Sequence, residues 1–396
     1  MPDPVPIAPQ QLTVPIGLKA GVKASDGQLI VGLRPDHSLS ELPTFNGKPV
    51  TLLGELDFSI KLQMLRLPEG VAVDDAIAAL QDHPAVSLIA PNRNLTHAPA
   101  PSAVSYSWRG TTNPNDPYFP SEWAFSDSVT NARALWQRSI NAGSVMVAVI
   151  DTGVDYTHPE LRGRVLAGYN FKDGTSEIMD QDGHGTHVAG LIAAAGNNGQ
   201  GIAGVSWTAK ILAIKVMDSV SGTDYGAIAG IKYAVDAGAK VLNLSFSSDN
   251  TQRNPLFDLA VQYALDHGAL VVAAAGNKGG PVSAPGNSPG ALTVSATSDK
   301  GMEKLASFSN FGPEVYLAAP GDNILSTVPG GGYKAMSGTS MATPIVSGAA
   351  AVLFAEHPDW TVDQVKSALA KAVDPLGTTG RTNQYGYGRI DLGKLP

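Results

Sequence analysis

Two apolar patterns divide the chain. In the first hundred residues the hydrophobic positions come in short, half-buried rhythms. Gln28–Leu33 reads as a strand, and Ile60–Leu67 largely alternates with period two. Val71–Leu80, with Asp74 and Asp75 near its start, has the spacing of an amphipathic helix. Pro84 punctuates the text after it, and Val86–Ile89 forms a last strand. With a short extra helix near Leu39–Leu42, these elements predict a small α+β domain over residues 28–94. Residues 1–27 begin Pro-rich without periodicity and read as a loose arm.

From Tyr118 the pattern changes to near-continuous apolar runs: Val145–Ile150, Ile211–Val216, Val241–Leu244 and Leu270–Ala275. Such runs suit strands buried on both faces of a parallel sheet. Helical spacing follows over His187–Ala195, Tyr225–Ala237, Pro255–His267, Thr343–Glu356 and Val362–Val373. Residues 118–396 are therefore expected to form a doubly wound, mostly parallel α/β sheet flanked by helices, with its ligand crevice beyond the carboxyl ends of the strands. Residues 95–117, rich in Pro, Ser, Thr and Asn, link the two domains. Composition leaves two readings of that linker open, a spacer or a processing site.

Composition narrows the classes. The 27 basic and 35 acidic residues leave a net charge of −8, and no basic field exists to follow a nucleic-acid backbone. Cysteine is absent, which excludes disulfides, thiolate metal sites and a cysteine nucleophile. No run of 18 apolar residues occurs, so no membrane span is expected. Residues 1–6 have neither the basic nor the apolar region of a signal peptide; the chain is either intracellular or the remainder after a leader was removed.

Polar motifs stand at the ends of the predicted elements. Asp151 closes a buried strand before Thr152-Gly153, a position that turn formers and helix caps also occupy. His184 lies between two glycines in Asp182-Gly183-His184-Gly185-Thr186-His187, at the start of a helix. A helix N-terminus disfavours imidazolium and a carboxylate partner favours it, so the two together can poise a base near neutrality. His184 and His187 are three apart, which invites zinc, but no glutamate stands between them and no third ligand is evident; His187 reads as a core histidine. Ser340, in Ser337-Gly338-Thr339-Ser340-Met341-Ala342, opens a helix of small residues whose dipole favours developing negative charge. Alone it is equally an ordinary cap. Ala275-Gly276-Asn277 ends a strand with an amide able to donate into the crevice.

The conjunction is far more specific than its parts. Asp151, His184 and Ser340 follow the chain order of the subtilisin triad, Asp before His before Ser. On these motifs the chain resembles the subtilisin-like serine proteases, most of all their thermitase-like branch, from about Asn115 to Ile390. The resemblance implies a serine endopeptidase acting through an acyl-enzyme: Ser340 as nucleophile, His184 as base, Asp151 orienting it, and Asn277 with the Ser340 N–H binding the oxyanion. It implies that a substrate strand adds between Ser221-Gly222-Thr223 and Leu244-Ser245-Phe246-Ser247, with Ala275, Gly276 and Ser283 around the primary pocket. Where the family usually carries Gly-Gly, this chain has Ser247-Ser248, whose Cβ atoms are expected to narrow the pocket or strain a turn.

The resemblance further implies structural calcium, held by Asp116, Glu160, the Asn198 side chain and the carbonyls of Ala195, Gln200 and Ile202; Glu160 stands where an aspartate is usual. Asp180-x-Asp182-Gly183 opens like an EF-hand loop but lacks the closing glutamate. The first domain resembles a propeptide, an intramolecular inhibitor and folding helper, released by self-cleavage within 95–112 from a secreted, monomeric enzyme whose partners are polypeptides and not nucleic acid or membrane. The rival readings are an inactive subtilase-fold peptide-binding scaffold and, less favoured, a zinc hydrolase.

Overall fold

The computed structural model describes residues 27–97, 114–139, 142–143, 145–219, 221–248, 251–299, 301–378 and 380–396, without the side chains of 301–303. Residues 1–26 of the predicted N-terminal arm and most of the linker, including residues 98–112 of the expected cleavage region, lie outside these residues.

The first unit is a four-stranded antiparallel sheet. Its strands are β1 (Gln28–Leu33), β2 (Thr51–Asp57), β3 (Lys61–Arg66) and β4 (Val86–Pro91), in the order β2-β3-β1-β4, with helix α1 (Val73–Leu80) between β3 and β4. Strand β2 is absent from the sequence reading, because the exposed Thr51 and Leu52 and a register shift near Leu53 blur its alternation. Odd and even positions of β1 face different cores. Leu29, Val31 and Leu33 pack with Leu65, Leu67, Ala76 and Leu80 under α1. Ile30, with Leu56, Leu62 and Met64, instead joins a core shared with the larger unit. Each such side chain, fully buried, contributes about 1.5–3 kcal/mol, so the shared face binds the two units together by ordinary hydrophobic burial.

After β4 the chain enters a short strand, β5 (Asn94–Thr96). The larger unit follows: α2 (Ala132–Arg138), β6 (Met146–Asp151), β7 (Val165–Asn170), α3 (His184–Ala193), β8 (Lys210–Lys215), β9 (Gly222–Thr223), α4 (Asp224–Asp236), β10 (Val241–Leu244), β11 (Ser247–Ser248), α5 (Pro255–Asp266) and β12 (Leu270–Ala274). It continues with β13 (Leu292–Ser298), β14 (Gly301–Leu305), β15 (Val315–Pro320), the hairpin β16 (Ile324–Val328) and β17 (Gly332–Met336), α6 (Thr339–Glu356), α7 (Val362–Lys371), β18 (Val373–Asp374) and β19 (Arg389–Ile390). The central sheet runs β18-β19-β15-β13-β12-β10-β6-β8-β7. It is parallel throughout except for β18, and β14 adds antiparallel to β13. This is the doubly wound α/β sheet the apolar runs predict.

Alternation within those runs sorts the two faces. Val147, Val149, Ile211, Ala213, Leu270 and Val272 meet α3, α6 and α7 on one side. Ala148, Ile150, Leu212, Ile214, Val271 and Ala273 meet α4 and α5 on the other. Helix α6 is long and apolar enough to cross a membrane, yet 89% of that stretch is buried inside the protein, as a central core helix must be. Strand order reverses at β6: the chain crosses from β6 to the edge strand β7, returns to insert β8 between them, and then places β10 on the opposite side of β6. Side chains beyond the carboxyl ends of β6, β10 and β12 therefore share one crevice.

Candidate active site

Three strand ends and two helix starts meet in that crevice. Asp151 is the last residue of β6 and His184 the first of α3, whose amino end begins three residues earlier than the apolar spacing indicates. His184 Nδ1 lies 2.8 Å from Asp151 Oδ1, and both side chains are buried. Gly185 permits this approach: a Cβ there would lie 2.1 Å from the Gly153 carbonyl and 3.2 Å from the Asp151 carboxylate. Burial pushes the His184 imidazole down, but the charge and hydrogen bond of Asp151, with Asp182 and Asp180 behind it, more than reverse this, and the net shift is upward. His184 Nε2 has no hydrogen-bond partner.

The loop that presents His184 is built on a residue the sequence analysis treated only as a failed metal ligand. Asp180 Oδ1 accepts from Thr152 Oγ1 and from the N–H groups of Asp182 and Gly183. Its Oδ2 accepts from the Thr186 N–H and hydroxyl. One buried carboxylate thus fixes both the Asp151 turn and the first turn of α3. Three residues on, His187 is fully buried and its Nε2 reaches the carbonyls of Ile324 and Lys334, each at 3.0 Å. Burial, helped by repulsion from His184, pushes it down to about 3; it is a neutral structural ring.

Helix α6 begins at Thr339, four residues before the apolar pattern indicates, so Ser340 sits inside its first turn rather than in a preceding loop. Pro344 has no N–H to give the Ser340 carbonyl, and Ser245 Oγ donates to that carbonyl instead, at 2.8 Å. The Ser340 hydroxyl in turn donates to the Ser245 carbonyl at 2.8 Å, and not to His184. The Asn277 carboxamide oxygen accepts from the Thr339 N–H and hydroxyl, at 2.8 and 2.9 Å. That anchorage leaves its amide N–H groups for the crevice.

Along the crevice lies β5. It pairs antiparallel with β9 through Asn94–Thr223 and Leu95–Gly222, and antiparallel with β11 through Thr96–Ser247 and Leu95–Ser248. The next residue, His97, places its ring 4.4 Å from that of His184 and its Nε2 3.5 Å from Asp182 Oδ1. Leu95 and Thr96, read as linker, thus belong to the middle strand of a three-stranded sheet, and His97 directly follows it. A cavity of about 350 Å³ opens beside His184, lined by His97, Asp182, Val328, Pro329, Lys334 and Met336.

The expected substrate residues divide by what they offer. Gly222, Thr223, Ser245 and Ser247 offer backbone to the crevice, whereas the side chains of Leu244 and Phe246 belong to the core. Ser221 stands just outside the pairing, its N–H on Asp218 and its carbonyl accepting from Lys172. Ser283 is buried; its N–H donates to Ala275, and a Cβ on Gly276 would lie 3.6 Å from its hydroxyl. Gly276 itself has φ +107°, and a Cβ there would stand 2.4 Å from the Asn310 side chain. Neither Ser247 nor Ser248 has a positive φ. The expected backbone strain is therefore absent, because both residues lie in extended strand pairing.

The proposed calcium ligands gather with one acid the sequence analysis missed. Asp116 accepts from the N–H groups of Asn197 and Asn198. Glu160 accepts from Asn198 Nδ2 and the Tyr333 hydroxyl, and the Asn198 carboxamide oxygen accepts from the Gln200 N–H. Glu122 Oε2 accepts from the Ala203 N–H, while its Oε1 is buried without a partner. Burial pushes all three carboxyls up, and Asp116 and Glu160 add repulsion at Glu122. The charge surplus and the orphaned oxygen fit a hard cation, although among the described residues no three acidic or histidine side chains form a ready metal cluster.

Sequence and structure comparisons bear on this geometry. The model of the Subtilase family matches residues 142–388. The chain is 38% identical over 321 residues to a thermophilic serine proteinase of Bacillus sp. (strain AK1), covering 81% of this chain and 75% of that protein. It is 39% identical over 283 residues to thermitase of Thermoactinomyces vulgaris, covering 71% of this chain and 98% of that protein. Its fold is similar to a solved protease structure from Pseudoalteromonas arctica, with a TM-score of 0.65 at 29% identity over 72% of this chain and 98% of that one.

Proposed function

The chain belongs to the subtilase family and is a serine endopeptidase, and on that premise we propose that Ser340, His184, Asp151 and Asn277 are its catalytic residues and that its first domain is a self-processed inhibitor. The observation that carries this reading is the position of β5. An extended segment of the protein itself lies between the two crevice edges, with Thr96 paired two residues from the carbonyl that holds the Ser340 hydroxyl and with His97 against His184.

In the proposed reaction the Ser340 hydroxyl leaves the Ser245 carbonyl and gives its proton to His184 Nε2 as its oxygen bonds the scissile carbonyl carbon. Asp151 fixes the tautomer, with Nδ1–H toward its carboxylate, and stabilises the imidazolium that forms. Asn277 Nδ2–H and the Ser340 N–H take up the oxyanion. Collapse expels the amine, which receives the proton from His184, and leaves an acyl-enzyme that water hydrolyses by the same relay. β-Strand addition supplies the affinity, so a substrate takes the place of β5.

A calcium ion, when bound, supplies the countercharge that the Asp116, Glu160 and Glu122 carboxylates lack; Asp116, Glu160, Asn198 and the carbonyls of Ala195, Gln200 and Ile202 would hold it. The enzyme is assigned to the secreted fraction, where its presence in cell-free medium is the check. The deciding experiment is the intact mass of wild type and Ser340→Ala after incubation with calcium. Wild type is expected to be cut between residues 95 and 112 and the variant to stay whole. If both stay whole and neither degrades casein, the peptide-binding scaffold is the better reading.

A further inference from the structure

The crevice carries a charge that the proposed reaction does not use. Asp224, the first residue of α4, is fully buried. Its N–H donates to the Arg93 carbonyl at 3.0 Å, which extends the β5–β9 pairing by one residue. Its Oδ2 accepts from Asn254 Nδ2 at 2.7 Å and, more weakly, from the Arg93 N–H at 3.4 Å. Its Oδ1 is buried with no hydrogen-bond partner. Burial pushes the carboxyl up to about 7, even though the Arg93 charge acts the other way.

A helix N-terminus already welcomes an acid, and a solvated aspartate would serve that purpose. Here the chain segment in the crevice covers the carboxylate and brings an arginine with it. Any strand that takes the place of β5 covers Asp224 in the same way. With a neutral side chain at the Arg93 position, the carboxylate is left buried without countercharge; with an acidic one, two like charges meet. With arginine or lysine the charge is compensated. We infer that Asp224 is a specificity-determining residue, selecting a basic side chain three positions before the substrate residue that pairs with Ser247. This rests on the reading of β5 as a substrate-like strand.

The test uses the full-length protein, incubated with calcium and titrated with a serine-directed probe, and three peptides. Each carries Asn-X-Asn-Leu-Thr-His-Ala followed by Ser-Val-Ser, with X as Arg, Ala or Glu. For wild type the expected kcat/KM for Arg is about five- to tenfold above Ala, with Glu lower still. Asp224→Asn, and Asp224→Ser as a second variant, both of which leave the Thr223 cap of α4 in place, should bring the Arg-to-Ala ratio to within twofold of one. Equal rates for Arg and Ala in wild type, or a ratio unchanged in both variants, overturns the inference while leaving the protease reading intact. No cleavage of any peptide, together with no labelling of Ser340, overturns the protease reading and the inference with it.

Discussion

Two turns of one helix use the same residue type in opposite ways. At the mouth of the crevice, His184 opens α3, faces Asp151 and is shifted upward. One turn deeper, His187 faces two backbone carbonyls and is held neutral. Both rings are buried, so burial alone does not separate them. A carboxylate 2.8 Å away suits the first ring to the proton-carrying role proposed for it, whereas carbonyl acceptors make the second a fixed donor. The mouth is arranged for charge that comes and goes, and the interior for charge that never forms.

Substitutions at the mouth should therefore change rate and leave stability, and those in the interior the reverse. The largest expected effect is that of Ser340→Ala, a loss of about 10⁶-fold in kcat, a magnitude measured in subtilisin itself. Its melting temperature should match wild type by calorimetry when both samples are compared with the first unit in the same state, retained or removed. Next comes Asp151→Asn, which makes the environment of His184 more like that of His187. A loss of about 10⁴-fold in kcat is expected. The sign of the pH effect follows from the shift. In the proposed reaction neutral His184 is the base, so activity is expected to rise with pH through its raised pKa, and removal of the Asp151 charge should move that inflection to lower pH. An unmoved inflection in the pH–rate profile would assign the base elsewhere. Asn277→Ala should cost about 10²–10³ in kcat with little change in KM, again a subtilisin value.

The interior half of the comparison is tested through stability. His187 has its folded pKa depressed to about 3, so the unfolded chain takes up a proton first as pH falls. Its contribution is present above the ordinary imidazole value and is lost progressively from about pH 6.5 toward 3. His187→Gln should flatten that part of the melting-temperature profile, and the orphaned carbonyls of Ile324 or Lys334 should cost about 1–3 kcal/mol. Removal of calcium by a chelator should lower the melting temperature by about 5–10 °C relative to calcium at a hundred times its dissociation constant. Glu122→Gln should shrink that difference, because it removes one of the three repelling carboxyls.

Much of this was legible in the chain. The runs at Val241–Leu244 and Leu270–Ala275 correspond closely to β10 and β12, because strands buried on both faces require unbroken apolar text. The helix starts were less legible. The apolar spacing places them at His187 and Thr343, but polar and glycine-flanked first turns extend α3 back to His184 and α6 back to Thr339. Strands β13 and β15 were missed: serine and threonine interrupt the first, while the second follows a loop with little apolar contrast.

The sequence by itself determined the fold class and the cast of the crevice. Periodicity encodes which faces are buried, and the glycine-flanked Asp, His and Ser motifs survive in linear order. Only the tertiary structure decided the partners. Ser245, 95 residues from Ser340, bonds the carbonyl that Pro344 leaves without a donor, Asp180 ties two loops into one turn, and Arg93, at the end of the first unit, covers Asp224. Hydrogen bonding and charge compensation act over a few ångströms in space with no fixed separation in sequence, so no local pattern records them.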